Sequence, residues 1–370
     1  MTFTSDDQRY MARAIELARN GQYSANPNPC VGCVIVQNNQ IIGEGWHAKA
    51  GEPHAEIHAL KQAGTEAKSA AVYVTLEPCS HHGKTPPCAD ALIEAGVSRV
   101  VVAMEDPNPL VAGEGIAKLR DAGLDVLVGL MEEEAVALNV TFCHKMMTGK
   151  PYIISKVAMS LDGKTAMASG ESQWITGASA REDVHRLRAQ SDIVLTGVGT
   201  ILADNPKLTA RDGLAGLQVR QPRRVILDSQ LKTPCDAAIF GDDANTTILT
   251  CSKEEQRILA LKKKGCNVEV LAADANGHVD LQAVYTWLCN QQINSVMVEA
   301  GALLNGACLQ AGIIDELVVY MSPSVLGSDA RGAFSMPTIT QLSDKIKLSY
   351  EQMETLGDDI KLTYMVKRES

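Results

Sequence analysis

From Cys30 to Ile42 the chain reads "CVGCVIVQNNQII", two apolar runs on either side of a polar Asn-Asn pair. That pattern predicts two strands joined by a tight turn. A helix is predicted through "HAEIHALKQAG", then a strand "AVYVTL" and a helix "CADALIEAG" closed by Gly96. The strand "RVVVAM", the helix "GIAKLRDAG" and the strand "DVLVGL" continue the series. Strands alternating with helices that end in Gly describe an α/β domain with helices on both faces of its sheet. A last helix, around "EEEAVALNVTFCHKMMTG", ends at Gly149, and "KPYIISKVAMSLDGKTA" begins a new strand behind Pro151. The boundary is therefore expected near residues 146–150, giving domains 1–147 and 148–370. The second half repeats the alternation, with strand candidates "DIVLTGVGT", "RRVILD", "TTILT", "NVEVLAA", "SVMVEAG" and "ELVVYMSPSVLG". No sequence repeat relates the halves, so two different α/β domains are expected.

Composition narrows the function. A length of 370 residues suits two or three domains at about 100–200 residues each. With 45% hydrophobic and 21% charged residues, the chain can bury full cores. Its net charge of −10 argues against nonspecific binding to nucleic acid or an anionic membrane, both of which would repel it. No apolar run approaches the roughly 20 residues of a membrane span. The opening "MTFTSDDQRYMARAIELARNGQ" is amphipathic and partly acidic, unlike a secretion signal. The ten cysteines then read as reduced thiols and possible metal ligands in a cytoplasmic protein.

Residues 53–63, "PHAEIHALKQA", hold two overlapping zinc signatures. His54 and His58 are spaced as in a helical zinc protease, but that motif needs Glu directly after the first His, and Ala55 stands there. His54 and Glu56 are spaced as in a zinc deaminase. Downstream, "TLEPCSHHGKTPPCADALIEAG" supplies Cys79 and Cys88, each behind a Pro. A catalytic zinc takes three protein ligands and leaves the fourth position to water; His54, Cys79 and Cys88 fit that set, with Glu56 free to move protons. Because i and i+2 diverge within a helix, His54 must sit at a helix start. His81 and His82 lie between the cysteines and could replace one ligand, though neither has the Pro-Cys context. Cys30 and Cys33 are read as structural, since side chains three apart in a strand face opposite ways.

"HAE" with "EPC…PPC" resembles the cytidine/deoxycytidylate deaminase superfamily, whose pattern is H-x-E with P-C-x-x-C. Here eight residues separate the cysteines instead of two. That loop, with "NPNPCVGCVIV" and "GEGWHAKAGEPHAE", resembles the deaminase half of the bifunctional riboflavin-biosynthesis deaminase/reductase family. The resemblance implies one zinc per chain and substrate contacts from Asn28, His47 and Lys84.

In the second half G-x-G-x-x-G is missing, but "VEAGALLNGA" runs from a strand through Glu299 into a small-residue turn and a helix, where phosphate can bind. "SLDGKTA", "GESQWIT" and "LTGVGTILADNPKLTAR" place glycines and polar residues after strands, where open α/β sheets bind ligands. These segments resemble the reductase half of the same family, with a fold similar to dihydrofolate reductase and NADPH as cofactor. The implied cofactor contacts are Ala158, Trp174, Thr200, Asp204, Ser229 and the turn Gly301, Ala302, Leu303, Leu304, Asn305, Gly306 and Ala307. Lys156, Ser172, Arg188, Leu208, Arg211 and Glu299 would hold the substrate. Without the resemblance, Trp174 would be read as core packing and Asp204 as a turn cap.

The expected partner is a small pyrimidine ribose phosphate, with no nucleic acid and no membrane; a homo-oligomer is left open. Sequence leaves Asp204 and Glu299 as candidate proton donors for the reduction. Two other readings stand beside this one: an RNA deaminase with an attached RNA-binding domain, and a non-catalytic zinc-stabilised binding protein.

Overall fold

The first amphipathic stretch forms α1 (Ser5–Ala18), started by a capping box between Thr4 and Asp7. Asn38 and Asn39 both take positive φ, 52° and 60°, and so fold β1 (Gly32–Gln37) back on β2 (Gln40–Trp46) as an antiparallel hairpin. Then follow α2 (Ala55–Ala63), β3 (Ala71–Leu76), α3 (Cys88–Glu94), β4 (Arg99–Met104), α4 (Glu114–Asp121), β5 (Asp125–Val128), α5 (Glu132–Leu138) and α6 (Val140–Thr148). The computed structural model describes residues 3–81, 86–241 and 245–367; Lys84 and His82 lie outside them. Contacts divide the chain into two units, Met1–Lys150 and Pro151–Ser370.

The first unit is a five-stranded sheet in the order β2-β1-β3-β4-β5, with β3, β4 and β5 parallel. Two glycines show where its helices lie. A Cβ on Gly32 would fall 1.9 Å from Ala14 O of α1, and one on Gly45 would fall 2.3 Å from Ala55 O of α2. Gly45 pairs with Cys33, the neighbour of Gly32, so the two helices cover opposite faces of the sheet. Met11, Val34, Ile35, Val72, Val74, Val101 and Leu119 fill the core between the layers. Each fully buried chain of this kind contributes roughly 1.5–3 kcal/mol.

The single helix expected at residues 132–149 is instead two. Asn139 leaves helical geometry (φ −122°, ψ 24°), because its side chain is taken up by Cys30. It accepts from Cys30 N at 2.8 Å and donates to Cys30 O at 3.0 Å.

The second unit contains β6 (Tyr152–Ser160), β7 (Lys164–Ala166), α7 (Ala178–Gln190), β8 (Ile193–Gly197), α8 (Val198–Asp204), β9 (Arg223–Leu227), β10 (Thr246–Thr250), α9 (Glu255–Lys262) and β11 (Asn267–Val270). After these come α10 (Leu281–Cys289), β12 (Ser295–Glu299), α11 (Ala302–Gln310), β13 (Glu316–Ser322), β14 (Arg331–Gly332), β15 (Leu348–Leu356) and β16 (Asp359–Val366). The main sheet has nine strands, ordered β11-β10-β9-β8-β12-β6-β13-β16-β15. Its first seven strands run parallel, and β16 and β15 close one edge antiparallel. That edge hairpin is not among the strand candidates read from sequence. Its Gly357-Asp358 turn was the available signal, but β15 is largely exposed and so lacks an apolar run. No helix among the described residues is long and apolar enough to cross a membrane.

Candidate active sites

His54 is the N-cap of α2, with extended backbone (φ −75°, ψ 167°), while Glu56 is already in the first helical turn. This change of geometry lets residues two apart converge. The contact of Gly45 with Ala55 seats that turn on β2. Cys79 follows β3 through Glu77 and Pro78, and Cys88 opens α3 with Pro87 as its N-cap. Nδ1 of His54 lies 3.3 Å from Cys88 Sγ and 3.7 Å from Cys79 Sγ, and Cys79 Sγ accepts from Cys88 N at 3.3 Å. The ligand atoms of His54, Cys79 and Cys88 all lie within 4.8 Å of one another. Zinc bonds of about 2.0 Å to nitrogen and 2.3 Å to sulfur give tetrahedral N···S edges of about 3.5 Å, so this donor set fits the ion.

The charges suit the same purpose. Cys88 and His54 hold the Cys79 thiol down to about 4, and the thiolate in turn pushes Cys88 up. A dication would release the proton that this pair retains. Burial raises the Glu56 carboxyl to about 7 despite the nearby His54, which poises it to take and return a proton near neutrality. Asn28 Nδ2 donates to His47 Nε2 at 3.0 Å, and His47 Nδ1 donates to Pro53 O at 3.2 Å. Burial lowers the His47 pKa, so the ring is neutral, and it stands edge-on to His54 with centroids 5.2 Å apart. The structure thus brings Asn28, His47, His54, Glu56, Cys79 and Cys88 together.

Other residues fall away from the ligand set. His58 packs its Cβ against Gly45. Cys33 is fully buried on the sheet, and Cys30 is packed with Ala18 and Ala25. His81 is exposed and lies outside the metal-ligand group found among the described residues.

Sequence reasoning missed Glu77. Its buried carboxylate accepts from the backbone N–H groups of Asp106 (3.0 Å), Gly113 (2.9 Å), Gly115 (2.7 Å) and Ile116 (3.1 Å). A Cβ on Gly115 would lie 2.0 Å from Pro78 O. Glu77 therefore ties the start of α4 to the segment carrying Cys79. The only local sign of it was its place in "TLEPC".

In the second unit, Glu299 at the end of β12 sits opposite Lys156 of β6. Arg188 holds Glu299 in a fork, Nε to Oε2 at 2.7 Å and Nη2 to Oε1 at 2.8 Å, and Lys156 Nζ lies 3.7 Å from Oε1. Burial alone would raise the Glu299 pKa, but the two cations bring it down to about 2. Glu299 is thus held as a carboxylate at neutral pH. Burial lowers the Lys156 pKa. Asp204 is exposed at the end of α8.

Gly301 caps α11, and the helix's first turn is open, with Leu303 76% exposed. Unpaired N–H groups of such a turn suit a phosphate. On the neighbouring strand β8, Gly197 leads into α8 and Thr200, and its missing Cβ faces Leu304. Asn305 and Gly306 point inward. The Asn305 amide accepts from Ser155 and donates to Ala300 O, and Gly306 packs on Ser335 O. Ala302 and Ala307 are half-buried on the same helix, as is Ala158 on β6. Ser229, after β9, accepts from Val279 N through its hydroxyl. Trp174 is 71% exposed and stacks on the Arg181 guanidinium, so the core-packing alternative is wrong. Ser172 is half-buried near it in sequence, and Leu208 is buried at positive φ (50°). Arg211 lines a cavity of about 300 Å³ together with Lys207, Thr209, Gln221 and Arg224.

Both units match known protein families. Residues 4–104 match the cytidine and deoxycytidylate deaminase zinc-binding region, and residues 151–362 match the RibD C-terminal domain. The riboflavin biosynthesis protein RibD of Escherichia coli is 50% identical over 363 residues, covering 96% of this chain and 98% of its own length. The RibD of Haemophilus influenzae is 45% identical, covering 99% of each chain. Among solved structures, Acinetobacter baumannii RibD superposes with a TM-score of 0.89 at 45% identity, over 98% of this chain and 99% of that one. The diaminohydroxyphosphoribosylaminopyrimidine deaminase/5-amino-6-(5-phosphoribosylamino)uracil reductase of Thermotoga maritima superposes with a TM-score of 0.85 at 34% identity, over 98% and 99%. Matched along almost its whole length, with a deaminase zinc region in one half and a RibD C-terminal domain in the other, this chain belongs to the RibD family of riboflavin biosynthesis proteins.

Proposed function

We propose that the chain is a bifunctional enzyme of riboflavin biosynthesis. It deaminates 2,5-diamino-6-(5-phosphoribosylamino)pyrimidin-4(3H)-one and then reduces the ribosyl group of 5-amino-6-(5-phosphoribosylamino)uracil to ribityl. The observation that carries this reading is the open three-ligand set beside a buried carboxylate, in a chain that also contains a RibD C-terminal domain. A closed structural zinc site would need four ligands.

In the first step, His54, Cys79 and Cys88 would hold zinc, which when bound would supply a water activated near neutral pH. With the metal in place, Glu56 would take a proton from the attacking water as its oxygen bonds to the ring carbon bearing the 2-amino group. Glu56 then returns the proton to the amine, which leaves as ammonia. Asn28, His47 and Lys84 orient the pyrimidine, His47 as a neutral ring with its tautomer fixed by Pro53.

In the second step NADPH, when bound, would supply the hydride that reduces C1′ of the ribose. The open first turn of α11, with Ala158, Trp174, Thr200, Asp204 and Ser229, holds the cofactor, and Asn305 and Gly306 support that turn from inside. Lys156, Ser172, Arg188, Leu208, Arg211 and Glu299 hold the substrate. Four of the five N–H groups of a guanidinium are engaged on Arg188, by Glu299, Thr209 O and His185. Arg211, facing the cationic cavity, is accordingly the reader of the 5′-phosphate. Lys156, 3.7 Å from the Glu299 carboxylate, is a second cation beside it. The ten free cysteines accord with a cytoplasmic setting.

Rates with the pyrimidine ribosyl phosphate, RNA and free cytidine test the assignment. Ammonia release from the pyrimidine phosphate alone is expected, and release from RNA in its place would replace this reading with an RNA deaminase.

A further inference from the structure

The segment from Leu208 to Asp212 belongs to the connection between α8 and β9 and has no strand or helix of its own. A segment without regular structure must find partners for its backbone polar groups elsewhere. Here side chains provide them. Gln221 brackets Ala210, accepting from its N–H at 2.9 Å and donating to its carbonyl at 2.8 Å. Arg188 donates to Thr209 O at 3.1 Å. The next link is His185 of α7, one turn before Arg188 and on the same helix face.

His185 is buried, at 6% exposure. Its Nδ1 accepts from Arg211 N at 3.2 Å, and Nη1 of Arg188 points at the same atom from 3.4 Å. Nε2 lies 3.1 Å from the Asp212 carboxylate. In the neutral ring with its proton on Nε2 toward Asp212, Nδ1 accepts from both donors. Thr209 O, 2.9 Å from Nδ1, is then served by Arg188. One imidazole thus touches both arginines assigned to the substrate: the guanidinium of Arg188 and the backbone of Arg211.

We propose that His185 is a positioning residue of the reductase site, fixing the backbone at Arg211 so that its guanidinium is presented to the substrate phosphate. This rests on the reading of Arg211 given above. The role requires a neutral ring. Burial and the cations Arg188 and Arg211 lower the His185 pKa, while the largely exposed Asp212 and the Thr209 carbonyl oppose them, and Glu299 also acts on the ring. Once protonated, Nδ1 can no longer accept from Arg211 N–H and turns instead to Thr209 O. Substrate affinity should therefore fall on the acid side.

The test uses the full-length protein with 5-amino-6-(5-phosphoribosylamino)uracil and NADPH. His185→Ala should raise KM for the uracil substrate about tenfold, the loss of one polar contact to an ordered charged group. Its kcat and its Kd for NADPH should stay within about twofold of wild type. His185→Asn, whose Oδ1 stands near the place of Nδ1, should restore most of the affinity and abolish the acid-side rise in KM. His185→Gln, which reaches only the Nε2 position, should behave like His185→Ala. A wild-type KM in both the Ala and Gln variants would overturn the proposal, as would parallel loss of NADPH affinity. Arg211→Met is measured alongside. An unchanged KM in that variant would remove the underlying site assignment, whereas a raised KM there with none in His185→Ala would remove only the role of His185.

Discussion

Glu56 owes its usefulness to burial. A carboxylate in water would be a weak proton acceptor near neutrality, but here desolvation lifts its pKa to about 7. Glu56→Gln should therefore keep one zinc per chain and lose ammonia release by at least about a hundredfold. Cys88→Ala should lose the metal, and Cys30→Ala and Cys33→Ala should retain it, as read by elemental analysis of the purified variants. Metal retained by Cys88→Ala would reassign the third ligand, with His81 and His82 next in line. Glu77→Gln removes a charged acceptor from four backbone N–H groups and should lower stability by roughly 1–3 kcal/mol, with zinc affinity falling alongside; unchanged melting and metal content would refute its positioning role. The contrast between these residues explains what the sequence disclosed. His54, Glu56, Cys79 and Cys88 were legible because metal chemistry dictates residue type and spacing. Glu77 was not, since its partners lie 29 to 39 positions away. His185 was hidden for the same reason, appearing only as one polar residue on a helix.

At the scale of elements, the strand–helix alternation was readable because buried parallel strands are nearly continuous apolar runs. The break at Asn139 and the hairpin β15–β16 were not. The first depends on a distant carbonyl and amide at Cys30, and the second lies on an edge with little apolar patterning. Gly45 shows how closely β2 seats the metal-bearing helix start. Gly45→Ala should cost about 1–3 kcal/mol through overpacking, read as a lower urea midpoint together with weaker zinc retention. A second element-scale device is the clamp between α1 and the sheet. Asp7 accepts from Thr4 N (2.9 Å), Tyr73 Oη (2.7 Å) and Arg99 Nη1 (3.0 Å). Burial opposes its ionisation, but these bonds together hold its pKa down to about 2. A depressed folded pKa gives stability that is present above the unfolded value of about 3.9 and is lost as pH falls through the folded one. Between pH of about 4 and 2 the wild type should lose roughly 2 kcal/mol from this group alone. Asp7→Asn should be less stable at pH 7 and show a flatter acid limb in urea titrations. An acid limb as steep as wild type would assign the loss to other carboxylates.

At the scale of the whole molecule, the chain divides into two compact units, and the candidate zinc ligands His54, Cys79 and Cys88 lie in the first. The central claim, two activities with different cofactor needs in one chain, is tested most directly by removing the metal. The full-length protein is assayed before and after zinc chelation, with ammonia release and NADPH oxidation followed in parallel. Given the diaminopyrimidine ribosyl phosphate, the untreated protein should release ammonia and then oxidise NADPH, and the chelated protein should do neither. Supplying 5-amino-6-(5-phosphoribosylamino)uracil to the chelated protein should restore NADPH oxidation close to the untreated rate. Ammonia release that survives complete zinc removal would contradict the account. So would a supplied intermediate that is no longer reduced while the second unit remains folded.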